Sequence, residues 1–198
     1  MIKTAITGNI ASGKSQVENF LTSLGFSVID SDKVNHNLLM YDSHVMSEIK
    51  NIFGEEIIEN NKISKEKLAK IIFDIPQKKQ QLEQILHKRI KEAINNFFEQ
   101  HSHEDIVFAS VPLLFEAEWE KNFDKIIFVS ADENIRLKRL MQRNNCSYDM
   151  AKKRIMAQNA EKSKINKSDF LIVNNSDLDN LKQSTMIIVQ QLLSLNVQ

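Results

Sequence analysis

Short apolar runs alternate along the chain with longer stretches in which apolar residues recur every three to four positions. The runs Ile2–Thr7, Phe26–Asp30, Asp105–Ser110, Lys125–Ser130 and Phe170–Val173 predict five strands. Helical spacing predicts helices over Lys14–Leu24, around Lys33–Phe53, over Glu133–Asn144 and over Leu178–Leu195. The alternation predicts βα units and an α/β fold with a mostly parallel sheet. Residues 31–104 are too many for one crossover and read as a helical insertion: Ser64–Phe73, then a long helix opened by Pro76. Along that helix Leu82, Leu86, Ile90, Ile94 and Phe98 repeat at i+4, with Ile85 and Phe97 widening the stripe. Such a stripe is a core face.

Composition narrows the class. The 198 residues are 42% hydrophobic and 26% charged, enough for a well-filled core and one domain with an embellishment. Lys plus Arg and Asp plus Glu both number 26, so net charge is zero and nothing favours a dedicated nucleic-acid binder. The single cysteine, Cys146, excludes an internal disulfide framework and a multi-cysteine zinc site. No apolar run is long enough to span a membrane, and the N-terminus reaches Gly8 before a signal-peptide core forms, so the expected location is cytoplasmic.

Charge is uneven in one place. Residues 136–167 hold ten Lys or Arg against two acids, Asp149 and Glu161. A run of this kind is ordinarily a solvated helix face.

Gly8-Asn9-Ile10-Ala11-Ser12-Gly13-Lys14-Ser15 matches the phosphate-loop pattern G-x-x-x-x-G-K-S/T and stands between a predicted strand and a predicted helix. Gly8 and Gly13 let the backbone curl until successive N–H groups face phosphate oxygens, and the helix N-terminus adds partial positive charge. Lys14 reaches the outer phosphates, and the Ser15 hydroxyl is a Mg²⁺ ligand. The pattern thus predicts a nucleoside triphosphate site.

Other motifs sort among phosphate-loop classes. Asn166-Lys167-Ser168-Asp169 spells a guanine-reading motif but precedes a strand rather than following one, and no glycine has Asp three residues before it, so a GTPase is disfavoured. A motor-type ATPase would end a strand in an acid, whereas Ile106–Ser110 runs on as Val111-Pro112. Val28-Ile29-Asp30-Ser31-Asp32 puts two carboxylates at a strand end, where parallel-sheet ligands bind. One carboxylate there takes or orients an acceptor hydroxyl's proton; an Asx turn capping the next helix is a compatible reading. Phosphate loop, acidic strand end, helical insertion and late basic segment together describe a small-molecule kinase. Its basic segment would close over the triphosphate and exclude water.

Over nearly its whole length the chain resembles the dephospho-CoA kinase family. The resemblance rests on Thr7–Ser15, on Val28–Asp32, on Ile85-Leu86-His87 and on Val111-Pro112-Leu113-Leu114-Phe115-Glu116. It continues in Arg139-Leu140-Met141-Gln142-Arg143 and in Arg154-Ile155-Met156-Ala157-Gln158.

The resemblance implies a P-loop kinase fold: a five-stranded mostly parallel sheet flanked by helices, a helical acceptor-binding insertion and a basic helical lid. The implied parts are a nucleotide-binding core at 1–31, 105–135 and 168–198, an acceptor domain at 32–104 and a lid at 136–167. The implied activity is transfer of the ATP γ-phosphate to the ribose 3′-hydroxyl of dephospho-CoA, with Mg²⁺. A kinase of another small acceptor, such as a nucleoside or nucleotide, is the alternative. By position Asp32 is the implied base, and Lys14 with the amides of Ala11, Ser12, Gly13, Lys14, Ser15 and Gln16 holds the phosphates. Arg139 and Arg143 face those phosphates from the lid, Asn174 lies beside the adenine, and Glu116 stands near the cleft. His87 belongs to the acceptor side. Read from residues alone, an isolated histidine such as His87 on a long helix is more often structural, and Glu116 is equally a solvated helix-start acid. The family usually carries Gly, Gly and Thr where this chain has Asn9, Ala11 and Gln16, and Lys88 and Val173 replace a usual Pro and Asp. A monomer or weak oligomer is expected, with no nucleic-acid or membrane partner.

Overall fold

The computed structural model describes residues 1–158 and 161–195. The chain divides into two compact units, Met1–Ile29 with Gln100–Gln198, and Asp30–Glu99. Of the insertion read from sequence at 32–104, residues up to Glu99 lie in the second unit and those from Gln100 in the first.

The first unit is built on five strands, β1 (Ile2–Gly8), β2 (Val28–Asp30), β5 (Ile106–Ser110), β6 (Lys125–Ser130) and β7 (Phe170–Val173), in the order β2-β5-β1-β6-β7. The pairings of β1 with β5 and β6, and of β6 with β7, are parallel, with Ile6 opposite both Ser110 and Ile127. Parallel central strands are covered on both faces, which favours short buried runs over strict alternation. All five residues of β5 are buried.

Helices α1 (Lys14–Ser23) and α9 (Leu178–Leu195) lie against each other and close one core. Val17 and Leu21 of α1 and Leu181, Ile188, Val189 and Leu192 of α9 meet Ile6, Phe108, Val129 and Ile172 of the sheet. A second cluster joins α6 (Glu133–Asn144) to α7 (Tyr148–Met156) through Leu137, Leu140, Ala151 and Ile155. Asn145 closes α6 in the left-handed conformation at φ 46°, one of the few non-glycine residues suited to it. The short α8 (Glu161–Asn166) follows.

The second unit is helical apart from one hairpin. The helix expected around Lys33–Phe53 is two, α2 (Ser31–Tyr41) and α3 (Ser43–Phe53). Asp42 breaks them: its Oδ1 accepts from the amides of His44 and Val45, both at 2.9 Å, restarting the helix. The hairpin β3 (Ile58–Glu59) and β4 (Lys62–Ile63) is unanticipated. Its turn, Asn60-Asn61, takes φ of 50° and 58°, the paired positive values of a two-residue hairpin loop that asparagine tolerates. Then come α4 (Lys65–Asp74) and α5 (Pro76–Gln100), whose Leu82, Ile85, Leu86, Ile90, Ile94 and Phe98 are buried as the stripe predicts. Phe97 is only half-buried.

Candidate active site

β1 runs into the phosphate loop because Gly8 permits a backbone approach no other residue allows. A Cβ there would stand 2.4 Å from the Val129 carbonyl oxygen and 2.8 Å from Ser12 Oγ. Gly13 begins α1 at φ 100°, in the left-handed region glycine favours. Of the two non-glycine substitutions in the loop interior, Ala11 takes φ 59°, a conformation that costs an alanine about 1 kcal/mol. The side chains of Ile10 and Ala11 pack against the α6–α7 cluster, which over-determines that backbone. Two of the six amides from Ala11 to Gln16 are used inside the loop: Ser12 N–H donates to Asn9 O at 3.1 Å and Gln16 N–H to Gly13 O at 2.9 Å. The Lys14 and Ser15 amides open the helix, where the first-turn N–H groups have no intrahelical acceptor. The Ser15 side chain is exposed there.

Three elements distant in sequence brace the loop. The Ser12 carbonyl accepts from Asn174 Nδ2 at 2.8 Å and from Arg139 Nη1 at 3.4 Å, and Arg139 Nη2 donates to Asn174 Oδ1 at 3.3 Å. Asn174, 4% exposed, is therefore wedged beneath the loop, just past β7. From just past α7, Gln158 Oε1 accepts from the Ile10 amide at 2.9 Å. Arg139 is thus brought to the loop from the basic segment. Arg143, one turn on, is exposed and donates to Asn144 Oδ1 at 3.1 Å.

Lys14 points back along α1. Its Nζ lies 2.7 Å from Glu18 Oε1 and also donates to Ser110 Oγ at the end of β5. Ser110 Oγ in turn donates to Glu18 Oε1 at 2.7 Å. Neither Glu18 nor Ser110 is given a site role by the sequence. The i+4 spacing of Lys14 and Glu18 is the signal that was there to find.

Much of the basic segment neutralises acids. Arg136, 5% exposed, donates through Nε to the Ala131 carbonyl at 2.9 Å and pairs with Glu161 at 3.2 Å. Lys164, equally buried, meets Glu116 at 2.6 Å, Lys167 meets Glu120 at 3.2 Å, and Lys152 pairs with Glu133. Glu116, itself exposed, is the partner of that buried lysine.

Asp30 and Asp32, the paired carboxylates, stand where β2 gives way to α2. Asp30 Oδ1 caps α2, accepting from the Asp32 amide at 2.8 Å and the Lys33 amide at 3.3 Å. Asp32 stands exposed in the first turn of that helix. His87 is half-buried on α5; partial burial holds its imidazole below the ordinary value of 6.5, with Glu83 opposing and Lys91 adding to the shift. Among the described residues no helix is long and apolar enough to cross a membrane, and no cluster of three or more His, Cys, Asp or Glu is placed to hold a metal by itself.

The dephospho-CoA kinase family model matches residues 2–180. The chain belongs to the dephospho-CoA kinase family. A dephospho-CoA kinase from Listeria monocytogenes is 35% identical over 191 residues, covering 94% of both chains. Among solved structures, a dephospho-CoA kinase from Campylobacter jejuni superposes with a TM-score of 0.75 at 29% identity, covering 98% of each chain. Shikimate kinase from Bacteroides thetaiotaomicron, at 13% identity and a TM-score of 0.52, shares the fold alone. Membership makes the protein an ATP-dependent kinase. The five-stranded parallel sheet, the helices flanking it and the loop after β1 are the P-loop kinase architecture expected from the sequence.

Proposed function

We propose that this kinase transfers the γ-phosphate of ATP to the ribose 3′-hydroxyl of dephospho-CoA, giving coenzyme A and ADP. The observation that carries the reading is the braced loop itself. A family match spans the chain, and within it the Ser12 carbonyl is held from two sides by Arg139 and Asn174. A loop fixed by residues from β7 and α6 presents its amides without reorganisation when the triphosphate arrives.

In this reading the amides of Ala11–Gln16 and the α1 N-terminus receive the β- and γ-phosphates, and Lys14 exchanges Glu18 for phosphate oxygen. Arg139 and Arg143 neutralise charge from the lid at 136–167, of which residues 159 and 160 lie outside the described part. Asn174 lies beneath the nucleotide, and its side chain sets the loop's shape rather than reading the base. Asp32 takes the proton of the 3′-hydroxyl as that oxygen bonds to the γ-phosphorus and the bond to the ADP oxygen breaks. His87 and Glu116 belong to the acceptor side.

The residues present suit Mg²⁺. Ser15 is an exposed hydroxyl at the helix start and Glu18 a nearby carboxylate, both hard oxygen donors, and Mg²⁺ characteristically completes its shell with substrate phosphates rather than a protein cage. When bound, the ion neutralises phosphate charge as it shifts toward the leaving group.

The test is ADP release from Mg·ATP with dephospho-CoA, adenosine, AMP, pantetheine phosphate or no acceptor. Turnover with dephospho-CoA alone, yielding a 3′-phosphorylated product, is the expected result. Turnover with another acceptor instead would overturn it. In the same assay Asp32→Asn should bind ATP normally yet lose on the order of 10²–10⁴ in kcat; near-normal kcat would remove Asp32 as the base.

A further inference from the structure

Phosphate-loop proteins commonly hold their metal between the loop serine or threonine and an acid at the end of a neighbouring strand. Here β5, hydrogen-bonded directly to β1, ends in Ser110, which offers a hydroxyl and no charge. A carboxylate reaches the same spot from another direction. Glu18, one turn beyond Lys14 on α1, is 8% exposed and flanked on its helix face by the fully buried Val17 and Leu21. Its Oε1 lies 2.7 Å from Lys14 Nζ and 2.7 Å from Ser110 Oγ.

Such a position is expensive for a carboxylate. Burial costs an anion several kcal/mol unless a cation compensates it, and in the nucleotide-free protein Lys14 is that cation. Lys14, however, is the residue that ATP claims. Once its ammonium turns to the phosphates, Glu18 would be left buried and uncompensated. The charge that arrives together with the triphosphate is Mg²⁺.

We propose that Glu18 supplies the acid missing from the end of β5: it aims Lys14 in the empty site and faces the metal ion once Mg·ATP is bound. Glu18 is a positioning residue, delivered by α1 rather than by the sheet, and it makes nucleotide affinity depend on the metal. The inference rests on the reading that the loop binds Mg·ATP.

A purely structural ion pair would not tie ATP affinity to Mg²⁺, whereas this arrangement must. Free ATP draws Lys14 away from Glu18 and supplies no replacement; Mg·ATP supplies one. The experiment is calorimetric titration of the full chain with ATP, once in Mg²⁺ and once in EDTA, for wild type, Glu18→Gln and Glu18→Asp. Wild type should bind Mg·ATP far more tightly than free ATP. In Glu18→Gln the ratio of the two affinities should shrink by about tenfold, chiefly because free ATP binds better. Glu18→Asp, which keeps the charge but withdraws it by one methylene, should fall between. A ratio unchanged in Glu18→Gln overturns the inference and leaves the pair structural. If Glu18→Gln does not fold by circular dichroism, Glu18→Asp decides alone, an unchanged ratio again overturning it. A folded wild type that binds ATP under neither condition overturns the nucleotide reading itself, and the inference with it.

Discussion

Gly13 and Asn174 occupy nearly the same space, and a double-mutant cycle between them tests how the phosphate loop is held. A Cβ on Gly13 would sit 2.0 Å from Asn174 Nδ2, so Gly13→Ala forces that side chain out. Two costs add. The backbone is at φ 100°, where an alanine loses about 1–2 kcal/mol. Expelling Asn174 breaks its 2.8 Å bond to the Ser12 carbonyl in a site where the residue is 4% exposed, a loss of about 1–3 kcal/mol. Asn174→Ala alone loses the same bond, again about 1–3 kcal/mol. In the double variant the clash has no partner and the bond is lost once, leaving mainly the backbone strain. The double variant should therefore be more stable than the sum of the singles implies, by about 1–3 kcal/mol. The gain from restricting the unfolded chain when glycine becomes alanine appears in both arms and cancels. Urea unfolding followed by Trp119, the single tryptophan and 4% exposed, reads all four proteins. Additivity to within about 0.5 kcal/mol would refute the shared-space argument.

Three further perturbations follow from other contacts. Gln158→Leu removes the acceptor for the Ile10 amide and should weaken ATP binding by about five- to tenfold, measured by titration, with little change in the urea midpoint. Glu161→Met leaves the Arg136 guanidinium buried without its counter-charge and should cost about 3 kcal/mol in the same unfolding assay, most of which Arg136→Met should recover in the double variant. His87 has a folded pKa below its ordinary 6.5, so between those two values the unfolded chain binds the proton more readily than the folded one. Its stabilising contribution is complete above pH 6.5 and is lost as pH falls toward the folded value. Acidification through that window should cost wild type more stability than His87→Gln, and parallel urea curves for the two would contradict the shift.

The sheet was legible because its strands leave short apolar runs, and β6 and β7 fall where those runs lie. β2 is shorter than its run: the Ser27 carbonyl already accepts from the Phe108 amide at 2.9 Å, yet regular strand geometry begins only at Val28. The α2–α3 break escaped periodicity because both helices keep apolar positions at compatible spacing, and the interruption is a local act of the Asp42 side chain. The β3–β4 hairpin escaped for the opposite reason. Two residues a side are too few to show alternation, and its Asn60-Asn61 turn departs from the asparagine–glycine pair that marks such loops most strongly.

The site divides along the same line. A phosphate loop obeys a fixed spacing, so the pattern of Gly8, Gly13, Lys14 and Ser15 stands out from the chain alone. Residues that hold those groups in place obey none, since any side chain of the right reach will serve from any element. Asn174 comes from the end of β7, Gln158 from just past α7, and Ser110 from a strand whose missing acid speaks against a motor-type ATPase. That missing acid takes on its meaning only beside Glu18. On paper the absence at the end of β5 and the glutamate four residues after Lys14 are unrelated facts; at 2.7 Å they are one arrangement. The substituted loop behaves the same way. Ala11 in a left-handed backbone is a liability in isolation, and it is tolerated here because Ile10 and Ala11 are packed into the α6–α7 cluster while Gln158 holds the Ile10 amide. The departures from the glycine-rich pattern thus move part of the loop's rigidity from its own backbone to the segment that carries Arg139.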